Sequence, residues 1–532
     1  MVFDKDWALH PDRALLLSPG NFRLTVSPNG VMHMSSPNIL FLMTDQMQGR
    51  VLEPDNPCRT PNLDRLAAGG VRFRRAYTPN AVCSPARASL MTGLLPHNHG
   101  VLFVEHTVET DQARLRTPYL HWADQLTAAG YDTGYFGKWH VERSNNLARF
   151  GWQAQGALLD NPDWDAASFS LERHLDGPPG YRPNRFYGVC DLPAGQRAMG
   201  KTTGAALAYL DAVLAASAPW CCFVSFTEPR DPFYCHQDAF ARYDVDSIPL
   251  QPNVRHDLSG QPNLYKRAAQ VWRDWTDREH REAAACYYAS INEIDRQFGR
   301  LLDRVERAGQ LENTIVVMTS DHGELLGAHG LYCKNIGAFE EIYNIPLLMA
   351  GPGVAAATLS DARVGLHDLG QTLLELVGAP PLENIDGSSF APLLAGPHSA
   401  SACQQGYAEY YGGRYILTQR ILWDGDWKFV HNGFDYDELY NLAADPYEMN
   451  NLAQDPAHAD RIQAMTRQMW CIAAESEDHS LANTHAPPLR IAAAGPGPVV
   501  RQSSVDRQMH SNLMQASALV KRRLTVDAER RV

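Results

Sequence analysis

The fold is decided by "NILFLMTDQ" (residues 38–46), an apolar run that ends in an acid and an amide. Three further runs have the same form: "YDTGYFGKWH" (131–140), "CCFVSFTEPRDP" (221–232) and "NTIVVMTSDHGE" (313–324). Near-continuous apolar runs of this length are typical of parallel strands that helices cover on both faces. We therefore predict four such strands, each followed by polar residues that could do chemistry.

Helical patterns lie between these runs. "TPNLDRLAAGG" (60–70) places Thr60 and Pro61 at a helix start, and "LHWADQLTAAG" (120–130) and "YYASINEIDRQFGRLLDRVERAG" (287–309) also close with glycine. Alternating strands and helices predict an α/β fold, with a large mixed, mostly parallel sheet sandwiched by helices. Ligands of such sheets bind beyond the carboxyl ends of the strands, so the polar strand ends should converge on one site.

A smaller antiparallel sheet is predicted after about Gly396. "RYILTQRILWDGDWKFVHN" (414–432) indicates hairpin strands with Asp424–Gly425 as the turn, and a helix follows from about Pro456. The predicted domains are an N-terminal arm (1–36), a catalytic α/β domain (37–396), a C-terminal α+β subdomain (397–479) and a C-terminal extension (480–532). The extension either contacts a partner subunit or is a frayed tail, and together with the arm it indicates a homo-oligomer.

The composition excludes several classes of protein. The 532 residues carry a net charge of −13, whereas a nucleic-acid surface needs a basic face. No apolar run approaches the ~18 residues of a membrane span, and residues 1–20 lack the longer apolar core of a secretory signal. The ten cysteines form no C-x-x-C pair, so most are predicted to be buried thiols. These features predict a cytoplasmic protein that binds neither nucleic acid nor membrane.

The stretch "NAVCSPARASLMTG" (80–93) places Cys83 at the start of a helix. Pro85 is tolerated in a first helical turn and Gly93 marks the helix end, with Arg87 one turn beyond the thiol. A cysteine in a large chain of this kind is commonly a buried structural thiol. A thiol at a helix N-terminus beside an arginine has a lowered pKa, which suits a nucleophile. From these residues alone both interpretations stay open.

Two pairs of polar residues could hold a metal ion. Asp45–Gln46 and Asp321–His322 each follow an apolar strand run. Together they offer two carboxylates, an amide and an imidazole, a mixed set that suits Mn²⁺, Mg²⁺ or Ca²⁺ and leaves zinc or iron open. A single aspartate after a strand more commonly caps the next helix, but two such pairs in one sheet favour a metal site.

Four motifs, in order along residues 37–455, resemble those of the sulfatase family. They are "CSPARASLMTG" (83–93), "GYDTGYFGKWH" (130–140), "TSDHGELLGAHGLYCK" (319–334) and "ELYNLAADPYEMNNLA" (438–453). The first resembles the C-x-P-x-R sulfatase signature and the second resembles the family's second signature. The chain is thus similar to the formylglycine-dependent sulfatases of the alkaline phosphatase superfamily, of the arylsulfatase or phosphonate monoester hydrolase kind.

The resemblance implies that Cys83 is oxidised to formylglycine by a maturation enzyme. In sulfatases the aldehyde hydrate is a gem-diol, and one of its hydroxyls, on the metal, attacks sulfur or phosphorus and expels the alcohol. The second hydroxyl then loses its proton, and the hemiacetal expels sulfate and regenerates the aldehyde. The resemblance also implies one divalent cation, Ca²⁺ or Mn²⁺ before Mg²⁺ or Zn²⁺, on residue 83 and on Asp45, Gln46, Asp321 and His322.

The resemblance further implies roles for the basic side chains. Arg87, Lys138 and Lys334 would balance the charge of the substrate anion in the transition state. Arg87 would also anchor the hydrate, and His140 would be the base for collapse of the hemiacetal. Arg230, in "SFTEPRDPF", stands where the family commonly has histidine.

That departure bears on the leaving group. Arginine stays protonated, so Arg230 can bind the substrate anion but cannot donate a proton to the departing alcohol. Either Lys334 supplies that proton or the leaving group departs unaided, which points to aryl esters. His236 could substitute, although a surface role fits it better. Asn344, where the family often has arginine, is assigned no function.

The resemblance leads us to expect hydrolysis of small-molecule sulfate monoesters, above all aryl sulfates, with promiscuity toward phosphoryl esters. A phosphonate monoester hydrolase or phosphodiesterase on the same scaffold is the alternative, and the pair Lys138 and His140 favours sulfate. A choline-sulfatase or a non-catalytic binding protein fits less well. Aromatic loops within residues 161–199 should select the leaving group.

Overall fold

A computed structural model describes most of the chain. The described residues are 36–116, 121–157, 164, 167–176, 183–334, 336–396, 403–413, 415, 417–481 and 492–495, with the backbone of 24–26, 32–34 and 482. The predicted arm (1–36) and extension (480–532) lie mostly outside this set, and the predicted domain boundaries stay a prediction. Within the described residues, no helix is both long and apolar enough to cross a membrane.

The chain alternates between strands and helices. The strands are β1 Leu24–Val26, β2 Met32–Met34, β3 Asn38–Asp45, β4 Gly70–Tyr77, β5 Asp132–Gly137, β6 Ala154–Gly156, β7 Phe169–Leu175, β8 Asn184–Cys190, β9 Trp220–Pro229, β10 Phe233–His236, β11 Thr314–Ser320, β12 Leu347–Ala350, β13 Thr358–Gly365, β14 Gln405–Tyr410, β15 Gln419–Asp424, β16 Trp427–Asn432 and β17 Glu438–Asn441. The helices are α1 Pro61–Ala68, α2 Cys83–Thr92, α3 Pro96–His99, α4 Trp122–Ala128, α5 Ala198–Val213, α6 Gln237–Phe240, α7 Asn263–Ala269, α8 Asp277–Arg307, α9 Glu340–Tyr343, α10 Leu369–Val377, α11 Ala459–Glu475 and α12 His479–Ala482.

The main sheet has eight strands in the order β13-β4-β12-β11-β3-β9-β5-β6. The four strands predicted from the apolar runs are the adjacent set β11, β3, β9 and β5, and they pair in parallel. Strand β12 runs antiparallel to both of its neighbours. The prediction of a large mixed, mostly parallel sheet is therefore confirmed, and the carboxyl ends of the four predicted strands share one edge.

Helices cover both faces of this sheet, which explains the unbroken apolar runs. Along β3, Leu40 and Leu42 pack into the core on the side of α1, α5 and α8. Ile39, Phe41 and Met43 pack into a second core on the side of α2, α4 and α10. Because alternate residues enter different cores, no position of the strand can be polar until its end.

The long helix α8 begins ten residues before the apolar pattern that predicted it. Its N-cap is Thr276, whose hydroxyl oxygen accepts from the Glu279 backbone N–H at 3.2 Å. The Glu279 carboxylate accepts in return from the Thr276 backbone N–H at 2.8 Å, which completes a capping box. The first turns carry charged residues and alanines, so the pattern read from residue 287 identified only the later part of the helix.

A smaller antiparallel sheet, β14-β15-β16-β17, confirms the predicted second sheet. Helix α11 packs on it, with Met465 and Met469 against Leu422 and Phe429. The predicted turn at Asp424–Gly425 is wrong by one residue. Asp424 still pairs with Trp427, so the turn is Gly425 and Asp426, and Gly425 supplies the left-handed φ of +58°. All ten cysteines are free and seven are buried, as predicted.

His97 ties the region around α2 to the C-terminal segment. Its Nδ1 lies 2.5 Å from Glu409 Oε1 and its Nε2 lies 2.7 Å from the Ser476 carbonyl oxygen, so both ring nitrogens face acceptors. Burial by itself would lower the pKa of His97, but the Glu409 carboxylate and the Ser476 carbonyl raise it to about 9. Asp478, which is paired with Arg420, adds further negative charge. The ring is therefore a buried imidazolium at neutral pH.

This pKa predicts a pH-dependent contribution to stability. A raised folded-state pKa stabilises fully below the ordinary value of 6.5 and loses that effect as the pH rises through about 9. His97→Gln should cost about 3 kcal/mol near pH 6 and much less near pH 10. Urea unfolding of both proteins at the two pH values checks this, with His458→Gln, at a histidine of the C-terminal subdomain, as the control. An equal cost at both pH values would contradict the assignment.

Candidate active site

The polar ends of β3 and β11 meet at the carboxyl edge of the sheet. Thr44 of β3 pairs with Ser320 of β11, so the residues that follow them are neighbours. The backbone N–H of Gln46 donates to Asp321 Oδ1 at 3.1 Å. Asp45, Gln46, Asp321 and His322 are all fully buried. The two candidate metal-binding pairs are therefore brought together, as the parallel strands predict.

Cys83 lies against these residues as the first residue of α2. Its Sγ is 3.2 Å from His322 Nε2 and 3.7 Å from Asp45 Oδ1. One ligand atom from each of Asp45, Cys83, Asp321 and His322 lies within 4.8 Å of the others. Every residue of α2 is buried, and the helix ends at Gly93 with a φ of +71°, as predicted. The thiol is thus fixed beside the acids.

The donor set fits a divalent cation. The oxygen donors of two fully buried carboxylates, together with one imidazole, suit a hard or borderline ion. The Gln46 amide nitrogen donates to Asp231 Oδ1 at 3.0 Å and to Glu324 Oε2, which fixes the orientation of the amide group. Its oxygen faces the Lys334 ammonium. The ion would be held by Asp45, Asp321 and His322, and Gln46 would lie beside it.

Arg87 is buried one turn after Cys83 and connects three elements. Its Nε donates to Asp321 Oδ2 at 2.8 Å, and its Nη1 donates to the Lys138 carbonyl at 3.0 Å and to Ser225 Oγ at 2.7 Å. Its Nη2 has no partner among the described residues. Burial by itself would lower the pKa of Arg87, but the Asp321 carboxylate raises it, so the guanidinium stays charged. One donor therefore remains available for a ligand.

Lys138 and His140 follow strand β5 and lie at the same carboxyl edge of the sheet. The Lys138 ammonium contacts Asp45 Oδ2 and is almost completely buried. His140 has a left-handed φ of +54°, a strained conformation that is common at functional sites. Burial, with the nearby charges of Lys138 and Arg87, lowers the pKa of His140 well below its ordinary value. The ring is therefore neutral near pH 7, the form that a base requires.

Arg230 follows β9 at the same edge. Burial by itself would lower its pKa, but Asp231 and, more weakly, Cys83 and Asp321 raise it, so Arg230 stays protonated. His236 instead accepts from the Asp238 backbone N–H at 3.3 Å as the N-cap of α6, which agrees with a structural role. Of the predicted residues, Cys83, Arg87 and Lys138 contact the buried acids. Lys334 contacts Gln46, and the charges of Lys138 and Arg230 act on His140.

Sequence reasoning missed several residues of the site. Glu324 accepts from the backbone N–H groups of Leu326 at 3.0 Å and Cys333 at 2.5 Å, and also holds the Gln46 amide. Its position three residues after Asp321, in the same polar strand end, was a usable signal. Glu105 reaches the site from a short 3₁₀ turn, where its backbone N–H donates to Ser84 Oγ at 3.2 Å. Nothing in its local sequence indicates that contact.

Asn344 has a structural role. Its side-chain nitrogen donates to the carbonyls of Arg74 at 2.9 Å and Ala76 at 3.3 Å, and its carbonyl accepts from the Gly49 backbone N–H at 3.0 Å. It therefore joins the end of β4 to the loop after β3, and no part in catalysis follows from it.

The fold and this edge define a class of hydrolytic site on an α/β sheet: a nucleophile candidate at a helix start, flanked by acids that can bind a cation and by basic groups for a tetrahedral anion. The family model described as Sulfatase matches residues 37–379. A second model, described as N-sulphoglucosamine sulphohydrolase, C-terminal, matches residues 327–475. The chain belongs to the sulfatase family, within the alkaline phosphatase superfamily, and is a sulfuric ester hydrolase by that membership.

Known proteins that are similar to this chain agree with its assignment to the sulfatase family. A choline-sulfatase of Rhizobium meliloti is 29% identical over 473 residues, covering 80% of this chain and 84% of that protein. The uncharacterized sulfatase YidJ of Escherichia coli is 30% identical over 442 residues, covering 80% and 85%. A phosphonate monoester hydrolase from Silicibacter pomeroyi has the same fold, with a TM-score of 0.69 at 23% identity, covering 84% and 97%. The resemblance inferred from the motifs is confirmed.

Proposed function

We propose that this protein hydrolyses sulfate monoesters, aryl sulfates above all, with residue 83 as the nucleophile. The observation that carries the proposal is the position of Cys83 Sγ, 3.2 Å from His322 Nε2 and 3.7 Å from Asp45 Oδ1, at the start of a fully buried helix. Oxidation of Cys83 to formylglycine is part of the proposal, as is one divalent cation, Ca²⁺ or Mn²⁺ before Mg²⁺ or Zn²⁺.

The cation would polarise the ester oxygens, and the formylglycine hydrate would supply the attacking hydroxyl and a route for releasing sulfate. Asp45, Asp321 and His322 would hold the cation, with Gln46 beside them. Arg87 fixes Asp321 through a 2.8 Å hydrogen bond and keeps its Nη2 free to hold the substituent of residue 83. The chain thereby fixes the nucleophile before substrate arrives, which lowers the entropic cost of the reaction.

The basic side chains bind the substrate anion. Arg230 carries a fixed positive charge, and the amines of Lys138 and Lys334 would surround the position of the sulfate group. Burial lowers the pKa of Lys138 well below its ordinary value, and a bound anion would favour its charged form. His140 is neutral because of burial and the nearby cations, so its ring can accept a proton from the hydroxyl that remains on residue 83. These four residues together form the proposed substrate-binding group.

The kind of leaving group that the site favours can be inferred from Arg230. Because Asp231 keeps this guanidinium protonated, it stabilises negative charge but cannot donate a proton to an alkoxide. A phenolate departs without protonation more readily than an alkoxide does. Lys334 could protonate a poorer leaving group, although its ammonium is held by the Gln46 oxygen. Aryl sulfates are therefore the proposed substrates.

The second candidate is a phosphonate monoester hydrolase or phosphodiesterase, supported by the fold shared with the Silicibacter pomeroyi enzyme. Lys138 and His140, both at the site, favour sulfate over that alternative. A choline-sulfatase is supported by the Rhizobium meliloti relative, but Lys334, the candidate for protonating an alkoxide, is held by the Gln46 oxygen. A non-catalytic binding protein would require a broken nucleophile or acid set, and both are intact.

A matched substrate panel tests the proposal. We expect kcat/KM for an aryl sulfate to exceed that for choline sulfate, an aryl phosphonate monoester and a phosphodiester by at least about tenfold, or about 1.4 kcal/mol of transition-state free energy. Among aryl sulfates, kcat/KM should fall steeply as the pKa of the phenol rises, because no proton assists its departure. A higher kcat/KM for the phosphonate or the diester would overturn the choice of sulfate.

The remaining expectations stay predictions. They are the maturation enzyme as a partner, a homo-oligomer built through the arm and extension, a cytoplasmic location, and the absence of nucleic-acid and membrane partners. The loops expected to select the leaving group are described in part, at 164, 167–176 and 183–199.

A further inference from the structure

A second cluster of metal-binding side chains lies beside the first and shares no residue with it. It consists of Glu105 and His106, from the 3₁₀ turn Glu105–Thr107, and His140, which follows β5. His106 Nδ1 is 3.2 Å from His140 Nε2. Glu105 Oε1 is 3.6 Å from His106 Nδ1 and 3.4 Å from His140 Nε2. Three potential ligand atoms thus form a nearly equilateral triangle.

This triangle has the dimensions of one face of a zinc coordination tetrahedron. Nitrogen and oxygen ligands bind Zn²⁺ at about 2.0–2.2 Å, which places them about 3.3–3.6 Å from one another. Two imidazoles with one carboxylate are a common protein ligand set for zinc, and a fourth position then stays open. We propose that Glu105, His106 and His140 bind Zn²⁺ and that the bound ion inhibits hydrolysis.

The surrounding contacts hold the carboxylate in position for this role. Arg143 Nε donates to the Glu105 carbonyl at 3.0 Å, and Arg143 Nη1 donates to Thr110 Oγ1 at 2.9 Å, which fixes the turn. The same Nε lies 3.8 Å from Glu105 Oε2, so this oxygen faces the guanidinium while Oε1 faces the two rings. Support of a ligand by a neighbouring donor is usual in metal sites.

The two clusters differ in the ions they favour. The set of Asp45 and Asp321 offers mainly oxygen donors, whereas the Glu105 cluster offers two imidazoles, which suit zinc better than calcium or magnesium. Zinc can enter from solvent because the His106 side chain is 60% exposed. The positive charge of Arg143 lowers the affinity, so we expect binding in the micromolar range.

Inhibition follows from the shared use of His140, and this step rests on the proposed function. Zinc would take the Nε2 lone pair and fix the ring 3.2–3.4 Å from His106 and Glu105. A ring held in this way can no longer accept a proton from residue 83. The ion would also stand close to the nucleophile, because the Glu105 backbone donates to Ser84, the residue after Cys83.

Direct metal binding tests the site without reference to activity. Protein carrying its resident cation is titrated with Co²⁺, whose tetrahedral absorption bands report the coordination, and then with Zn²⁺ alone, measuring ions bound per chain. Wild-type protein should bind one further ion with tetrahedral bands. His106→Gln and Glu105→Gln should weaken that binding at least about tenfold, whereas His174→Gln, at a partly exposed histidine on β7, should not. Absence of the further ion, or equal binding by all four proteins, would overturn the site.

Inhibition is measured in the same proteins as the ratio of aryl sulfatase rates with and without Zn²⁺. We expect micromolar Zn²⁺ to inhibit wild type and the His174→Gln control, and the concentration for half-inhibition to rise at least about tenfold in His106→Gln. Equal inhibition of wild type and His106→Gln would place the inhibitory zinc elsewhere and overturn the proposal. If the protein hydrolyses no sulfate ester, the binding titration still decides whether the zinc site exists.

Discussion

Replacing Cys83 by alanine should lower kcat/KM for an aryl sulfate by about 10⁴-fold or more, because it removes the only group proposed to attack sulfur. The backbone should be little affected. Alanine is a good helix former, and position 83 is the first residue of α2. Steady-state kinetics on purified protein measure the effect, and Cys471→Ala, at an exposed thiol on α11, is the matched control.

The mass of the peptide that contains residue 83 links the measured activity to formylglycine at that position. In active wild-type protein this peptide should carry formylglycine, and the active fraction of a preparation should equal its converted fraction. Full activity in Cys83→Ala, or full activity in wild-type protein with an unmodified thiol, would remove the assignment of the nucleophile.

Replacing Asp321 by asparagine should lower kcat/KM by about 10³-fold and weaken binding of the cation. Burial by itself would raise the pKa of Asp321, but His322, Arg87 and Lys138 hold it low, so the carboxylate is charged. Its Oδ2 accepts from Arg87 Nε at 2.8 Å, and its Oδ1 accepts from the Gln46 backbone N–H at 3.1 Å. One substitution therefore removes a proposed metal ligand and the partner of a buried guanidinium.

The same variant should also be less stable, by about 3–5 kcal/mol, because Arg87 would be left buried without its counter-ion. Elemental analysis of bound metal, kcat/KM and urea unfolding measure the three effects. Asp361→Asn is the control: its partner Arg74 is also an arginine, at 2.8 Å, but the pair is exposed, so the change should cost at most about 1 kcal/mol. Retention of metal and rate by Asp321→Asn would contradict the proposed cation site.

The main sheet and most of the site could be predicted because burial on both faces leaves a strong signal. A strand such as β3 has no polar residue between Asn38 and Thr44. The first polar residues after this run therefore show both where the strand ends and where the candidate functional residues begin. Parallel pairing then brings the ends of β3 and β11 to one edge. Asp45 and Asp321 meet because β3 and β11 are also neighbours in the strand order.

Other features depend on contacts that no local pattern records. Glu105 joins the site through a hydrogen bond to Ser84 and an ion pair with Arg143, both distant in sequence. The first ten residues of α8 are polar and alanine-rich, so their helix is set by a capping box at Thr276 rather than by apolar periodicity. The hairpin turn after β15 lies one residue later than predicted. Asp424 stays paired in the sheet, and Gly425 supplies the left-handed φ that the turn needs.

The burial of Cys83 has a consequence for the proposed conversion of this residue to formylglycine. All of α2 is enclosed and the thiol is 2% exposed, so an oxidising enzyme cannot reach it once the sheet has closed over the helix. The proposed conversion of Cys83 to formylglycine would therefore have to precede folding, on a chain that is still emerging from the ribosome or has not yet collapsed. Molecules that folded first would keep an unconverted thiol, and the catalytic yield of a preparation would then depend on the relative rates of conversion and folding.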